Sequence, residues 1–266
     1  MRKTNWNGTK LYHYTDFNAL KGILVNKEFW LGNVLEMNDA KEMKHFMNLL
    51  EKAVIQKTNR KSDVHELFVQ QIGRLEKMPV YAASLSHRDD DAAQWDRYGN
   101  AGKGVCIGFN AELLSKHIQK YAVLQPVFYV KEVMQHEHVE LISNYIVDNS
   151  DIGNWGSIDN IFENAWACSS AFKHKSFICE EEVRIMSLPF SLKLTLGEPN
   201  YIVTRENIRE YYPLSLADVD LMELITKIIL GPRATISLDI LKRYIEKETG
   251  LDLDIVKIEK SESPLR

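Results

Sequence analysis

The chain has 266 residues, of which 45% are hydrophobic and 26% charged, with a net charge of -4. That length suits one large domain or two small ones, the charge excludes a protein built as a whole to coat nucleic acid or an anionic membrane, and no apolar run approaches the roughly 18 residues of a membrane span. Met1 to Lys10 lacks the apolar core of a secretory signal, and the 3 cysteines, Cys106, Cys168 and Cys179, are widely spaced with no Cys-x-x-Cys pair, so a cytoplasmic protein with reduced thiols is expected.

In chain order, Lys10 to Tyr14 reads as a strand. Asp16 to Val25 reads as a helix with Leu20, Ile23 and Leu24 on one face, and Phe29 to Leu31 as a second strand. Asn38-Asp39 reads as a turn. Asp39, with Glu42 three residues on, has the spacing of a helix-capping box. A helix of about four turns then runs through Phe46, Leu49, Leu50 and Val54, and another covers His65 to Leu75. Val80 to Ser86 is strand-like. Asp89-Asp90-Asp91 can cap a short helix carrying Trp95 and Tyr98, which Gly99 ends. Strands follow at Gly104 to Phe109 and Tyr121 to Val130, then helices at Glu132 to Val147 and Asp159 to Phe172. Glu182 to Leu188 alternates like a strand, and Ile225 to Leu230 reads as a mostly buried one. Thr235 to Thr249 is a helix, and Leu251 to Ile258 a closing strand. There is no internal repeat, no low-complexity linker and no steady βαβ rhythm, which favours a single α+β domain over 1–266.

Several clusters can carry chemistry. Alternation along Leu11-Tyr12-His13-Tyr14 sets His13 on the strand face opposite both tyrosines. Its ring nitrogens can bond sugar hydroxyls or simply satisfy a structural partner. In Glu180-Glu181-Glu182-Val183-Arg184 an extended chain places Glu180, Glu182 and Arg184 on one face. That face is either a site for a polar ligand or a solvated edge strand defended by charge. Trp95 and Tyr98, three apart, form either a stacking wall or core. The glycines of Gly102-Lys103-Gly104…Gly108 precede a strand instead of joining strand to helix, so no dinucleotide fingerprint is present. His136 and Glu140 share a helix face while His138 points away, which suits a solvated face better than a metal site. Lys173-His174-Lys175 can contact phosphates or end a helix.

These segments, in this order, resemble a bacterial domain-of-unknown-function family (number 2971). The likeness rests on Tyr12-His13-Tyr14-Thr15, Leu20…Ile23-Leu24, Trp30-Leu31, Asn38-Asp39…Glu42, Ser84…Ser86 and Trp95…Tyr98. It continues through Gly104…Gly108-Phe109, Lys173, Glu180-x-Glu182-Val183-Arg184 and Ile225…Gly231-Pro232, spanning roughly residues 10 to 235. More distantly, the opening histidine strand, the helix behind it and the late Glu-x-Glu resemble ADP-ribosyltransferase folds, including DNA-modifying toxins and RNA 2′-phosphotransferases. The chain combines an opening His with a Glu-x-Glu, features of different branches of that superfamily.

That second resemblance implies mixed, mainly antiparallel sheets forming a cleft flanked by helices. It implies NAD as co-substrate, no metal, and transfer of ADP-ribose to a macromolecular acceptor, protein or nucleic acid. Glu182 is then the carboxylate that stabilises the ribosyl cation, Glu180 positions the acceptor, and His13 binds ribose. Tyr14 or Tyr98 stacks on nicotinamide, and Arg184 pairs with Glu182 or binds pyrophosphate. The competing expectation is a non-catalytic module that binds a nucleotide or a partner, with Glu180, Glu182 and Arg184 as an ion-pair network. A phosphoesterase built on Asp89-Asp90-Asp91 is a third class, disfavoured because that run reads as a cap. The acceptor, the oligomeric state and the biological role, whether toxin, phage-defence effector or housekeeping enzyme, stay open. Convergence of His13 and Glu182 in one cleft discriminates the first class from the second.

Overall fold

A computed structural model describes residues 4–36, 40–130, 137–149, 155–187, 198–203 and 207–265. The first strand, β1 (Lys10–Thr15), runs into α1 (Phe17–Leu24) through Asp16, whose carboxylate accepts from the Ala19 N–H at 2.9 Å. There follow β2 (Glu28–Asn33), α2 (Ala40–Thr58), α3 (Lys61–Leu75) and β3 (Tyr81–Ser86). Asp91 caps α4 (Ala92–Arg97), and Asn110 at the end of β4 (Val105–Asn110) caps α5 (Ala111–Ile118). Next come β5 (Ala122–Pro126), β6 (Phe128–Val130), α6 (Glu137–Asn149) and α7 (Trp155–Ser169). A 3-10 segment, Lys175–Glu180, joins β7 (Phe172–His174) to β8 (Glu182–Ser187). The remainder is β9 (Asn200–Val203), β10 (Ile208–Ser215), α8 (Leu221–Leu224), β11 (Ile225–Leu230), α9 (Leu238–Thr249) and β12 (Lys257–Lys260).

The main sheet runs in the order β12-β11-β4-β1-β3-β2-β10-β9, with a branch from β3 through β8 to β5. Its pairs are antiparallel except β11 with β12, so the fold is α+β with a mixed, mainly antiparallel sheet. One edge of β3 is fully paired with β8, from Ala82 to Ser86. Its other edge is shared. Ser86 pairs with Tyr12 of β1, whereas Tyr81 and Ala82 pair with Asn33 and Gly32 of β2. Between them, at Ser84, the sheet splits. A second, two-stranded parallel sheet pairs β6 with β7.

Alternation divides the core. Leu11, Ala83, Leu85, Val183 and Ile185 join one apolar cluster, together with residues of α1, α5, α8 and α9. Ala82 and Met186 join a second on the opposite face, under α2, α3, α6 and α7. Close strand packing explains a glycine as well: a Cβ on Gly104 would sit 2.0 Å from the Thr15 carbonyl oxygen.

Four expectations are corrected. The stretch Tyr121 to Val130 is two strands in different sheets, because Pro126 has no N–H to extend the ladder and the chain leaves β8 there. The helix expected to reach Phe172 ends at Ser169, and Phe172 opens β7. The closing strand begins at Lys257, well after Leu251. The strand carrying Glu182 is no solvated edge, since β3 and β5 flank it and all six of its residues are buried. Asp39 and His136 lie outside the described residues.

Candidate functional site

Where β1 and β2 diverge across β3 a cleft of about 570 Å³ opens, reaching from Tyr98 and Lys173 at one end to Arg209 and Tyr211 at the other. His13, Tyr14, Tyr98, Glu180 and Glu182 all line it; Arg184 does not. The sequence-predicted residues other than Arg184 are thus brought to one cavity.

His13 closes the split. Its Nδ1 lies 2.8 Å from the Ser84 carbonyl oxygen. A carbonyl only accepts, so Nδ1 carries the proton. Burial lowers the imidazole's pKa, against the opposing effects of the Ser84 bond and the Asp16 charge, and the ring is neutral at pH 7. Nε2 therefore keeps its lone pair as an acceptor. The ring also packs on Phe29, with centroids 4.9 Å apart.

Glu182 sits on the opposite sheet face from His13, yet both meet Ser84: its hydroxyl donates to Glu182 Oε1 at 2.6 Å. Arg184 Nε donates to the same oxygen at 2.7 Å, and Arg184 Nη2 and Lys173 Nζ reach Oε2 at 3.1 and 2.8 Å. The Glu182 backbone N–H donates to the Tyr129 hydroxyl at 2.8 Å. Burial alone would raise this carboxyl's pKa. The contacts with Arg184 and then Lys173 override it and hold the group at about 2. Arg184, 1% exposed, is locked behind Glu182 and also donates to the Ser170 carbonyl, so its side chain is committed to the ion pair and not to a pyrophosphate in the cleft.

Glu180 arrives by a different path from the extended one expected. It ends the 3-10 segment, and Glu181 after it adopts φ 44°, a left-handed turn that sets β8 going. Ser86 Oγ and Gln94 Nε2 donate to the Glu180 carbonyl at 2.7 and 3.1 Å. Its carboxylate accepts from Arg97 Nη1 and Tyr98 Oη at 2.9 Å each and from Lys173 Nζ at 2.8 Å. Burial first, then the neighbouring carboxylates, push the Tyr98 phenol up to about 12, opposed by Lys173, so it stays a donor.

Trp95 and Tyr98 do not form one wall. Trp95 is fully buried, edge-on to Tyr14 at 5.0 Å, whereas Tyr98 is 44% exposed at the cleft. The Tyr14 hydroxyl is engaged too: it donates to the Arg88 carbonyl at 3.0 Å and accepts from the Asp91 N–H at 2.9 Å. The three aspartates hold the frame. Asp89 pairs with Lys227, Asp90 accepts from Trp95 Nε1, and Asp91 caps α4. His138 packs beside Phe128 with the rings tilted, and among the described residues no group of three or more His, Cys, Asp or Glu is placed for a metal ion. His174 caps the 3-10 segment by accepting from the Ser176 N–H. Sequence reasoning missed the roles of Ser84 and Lys173, and it missed the far wall from Trp30, Arg209, Glu210 and Tyr211 entirely. The signal available for Lys173 was its place in a motif shared with Glu180 and Glu182; nothing local marked the far wall.

The cleft lining carries four carboxylates, Glu36, Glu180, Glu182 and Glu210, against two cations, Lys173 and Arg209. Combined with aromatic side chains, this suits a polar ligand with a cationic or hydroxyl-rich portion. Among the described residues no helix is long and apolar enough to cross a membrane. No curated protein and no solved structure matches the chain. Residues 94–185 match the model of the family described as "Protein of unknown function (DUF2971)", a narrower span than 10 to 235 that nonetheless contains Arg97, Tyr98, Tyr129, Lys173, Glu180, Glu182 and Arg184.

Proposed function

We propose that the cleft binds the ribose and nicotinamide of NAD, and that the chain transfers ADP-ribose from NAD to a macromolecular acceptor. The observation that supports this reading is the meeting of His13 and Glu182 on Ser84 within one cavity. In the proposed reaction the bond from ribose C1′ to nicotinamide nitrogen breaks, and nicotinamide leaves with the electron pair. An acceptor oxygen or nitrogen attacks C1′ and gives up its proton to solvent. Charge grows on the ribose as in glycoside hydrolysis. Glu182 faces that charge, Glu180 receives the acceptor, and His13 accepts a ribose hydroxyl through Nε2. Tyr98 flanks the nicotinamide, and Arg184 keeps Glu182 ionised. An electrostatic stabiliser so placed is worth about 10²–10³ in turnover.

A second reading has a specific observation in its favour. Both Glu182 oxygens already face cations, and the buried members of the cluster, Glu180, Glu182, Lys173 and Arg184, balance in charge, with the half-exposed Arg97 adding a further cation at Glu180. A balanced set offers less field to a developing cation and suits a module that holds a nucleotide or a partner without turnover. Incubation of the protein with labelled NAD and cell lysate separates the two. Label in a macromolecular fraction together with released nicotinamide supports transfer. Binding of NAD in calorimetry without release selects the module, and no binding at all removes the nucleotide from both.

A further inference from the structure

The small parallel sheet has no place in the main sheet's ladder, yet it reaches the centre of the site. Tyr129 of β6 and Lys173 of β7 are register partners. Each sends its side chain to the same residue: the Tyr129 hydroxyl takes the Glu182 N–H, and Lys173 Nζ takes the Glu182 carboxylate, both at 2.8 Å. Lys173 also holds Glu180 at 2.8 Å, so the two bridged carboxylate oxygens lie no further apart than twice that distance. All three side chains are buried, Lys173 to 7% exposure.

We propose that Lys173 is a positioning residue of the cleft, a strut from the second sheet that clamps the carboxylates of Glu180 and Glu182 in register before the bound ligand. This inference rests on the nucleotide-site reading for its functional consequence, but its physical core does not. Two carboxylates this close repel unless a cation lies between them, and a buried ammonium keeps its proton only beside anions. Each side of the clamp therefore needs the other. Arg184 meets Glu182 from its own strand, and Ser84 from β3. Arg97 of α4 and Tyr98, its C-cap, meet Glu180, and Tyr129 of β6 meets the Glu182 backbone. Arg97 is half exposed and reaches Glu180 alone, so it does not replace a bridge. Arg184 pairs with Glu182, whereas Lys173 reaches both carboxylates.

The test compares Lys173→Met and Lys173→Arg with the unsubstituted chain. First, the Glu182 carboxyl carbon is titrated by NMR without any nucleotide. In the unsubstituted chain it is held at about 2. Lys173→Met is expected to raise its midpoint by roughly 1–3 pH units, the range an adjacent opposite charge commands, and Lys173→Arg to restore most of the difference. Second, the acid limb of kcat/KM for NAD consumption is expected to move up with that midpoint in Lys173→Met, with kcat falling more than KM rises. A Glu182 midpoint unmoved by Lys173→Met overturns the proposal. Absence of NAD consumption by every form, with the midpoint shifted as expected, overturns the transferase reading and leaves the clamp standing. Should Lys173→Met not fold, the unsubstituted chain decides: a slowly exchanging Lys173 ammonium hydrogen-bonded to both glutamate carboxyls supports the clamp, and a freely exchanging one overturns it.

Discussion

Replacing Glu182 by Gln keeps the side chain's shape and removes one charge from a buried set of four. Read as an edge-strand residue in the sequence, the change should cost at most about 1 kcal/mol. Its actual place, 6% exposed between Arg184 and Lys173, reverses that expectation. Arg184 and Lys173 both lose the Glu182 charge, Lys173 keeping Glu180, and breaking such a buried pair costs roughly 3–5 kcal/mol. Urea denaturation at pH 7 should show a loss of that size, and an unchanged midpoint would return Glu182 to the surface. The pH dependence has a definite sign. A carboxyl depressed in the folded state adds stability above its unfolded pKa, and that stability is lost as pH falls through the folded value. The unsubstituted chain should thus lose stability between about pH 4.5 and about 2, and Glu182→Gln should lack that part of the slope. His13 tests the other wall. Asn at this position sets an amide N–H near the place of Nδ1 and can keep the Ser84 bond, while Nε2 is lost. His13→Asn should melt within a few degrees of the unsubstituted chain yet bind NAD at least tenfold more weakly; equal affinity would confine His13 to a structural role.

At the scale of elements, α4 is the piece that carries Arg97 and Tyr98 to Glu180, and its footing is Asp90. This residue adopts φ 48° and accepts from Trp95 Nε1 at 2.8 Å, from the Glu262 N–H at 2.7 Å and from Ser261 Oγ. The segment after β12 is thereby tied to the start of α4. Hydrogen bonds to a charged acceptor are worth about 1.5–3 kcal/mol each, with losses that do not add. Asp90→Ala should cost about 2–4 kcal/mol in all and speed hydrogen exchange at both 92–97 and 261–265. Faster exchange at only one of the two would show that they are not coupled. The cap role of the aspartate run was legible in the sequence, because a cap is a local signal. So were β1, α1, β3 and β11, where apolar periodicity and burial coincide. What was not legible was long-range. The hairpin of β9 and β10 lacks a clean alternation, with Tyr201, Val203 and Ile208 exposed and Pro213 inside a strand. α5 follows β4 without a spacer, so one apolar run hides two elements. The meeting of Glu180 and Glu182 was expected from an extended chain and arises instead from a 3-10 turn with a left-handed Glu181, closed by a lysine from another sheet.

On the scale of the whole molecule, the cleft occupies the split where β3 hands its free edge from β1 to β2. A ligand seated there touches strands from both sides of the split, and from β7 and the 3-10 segment as well. Its binding free energy is therefore coupled to unfolding of the entire sheet rather than to one loop. A ligand that binds only the folded chain adds RT ln(1 + [L]/Kd), about 2.7 kcal/mol at a hundredfold excess over Kd. For a chain of this size each kcal/mol is worth roughly 2–4 °C, so saturating NAD should raise Tm by about 5–10 °C, and the rise should grow with the logarithm of NAD concentration. Hydrogen exchange should slow in β1, in β3 and in Lys175–Glu180 together, because the ligand spans them. Nicotinamide alone fills one end and should shift Tm far less. The decisive pattern is the joint one. A concentration-dependent rise with protection on both sides of the split places the nucleotide in this cleft, whereas protection confined to β11, α9 and β12, which do not line it, places it elsewhere, and a flat Tm at millimolar NAD removes NAD as the ligand.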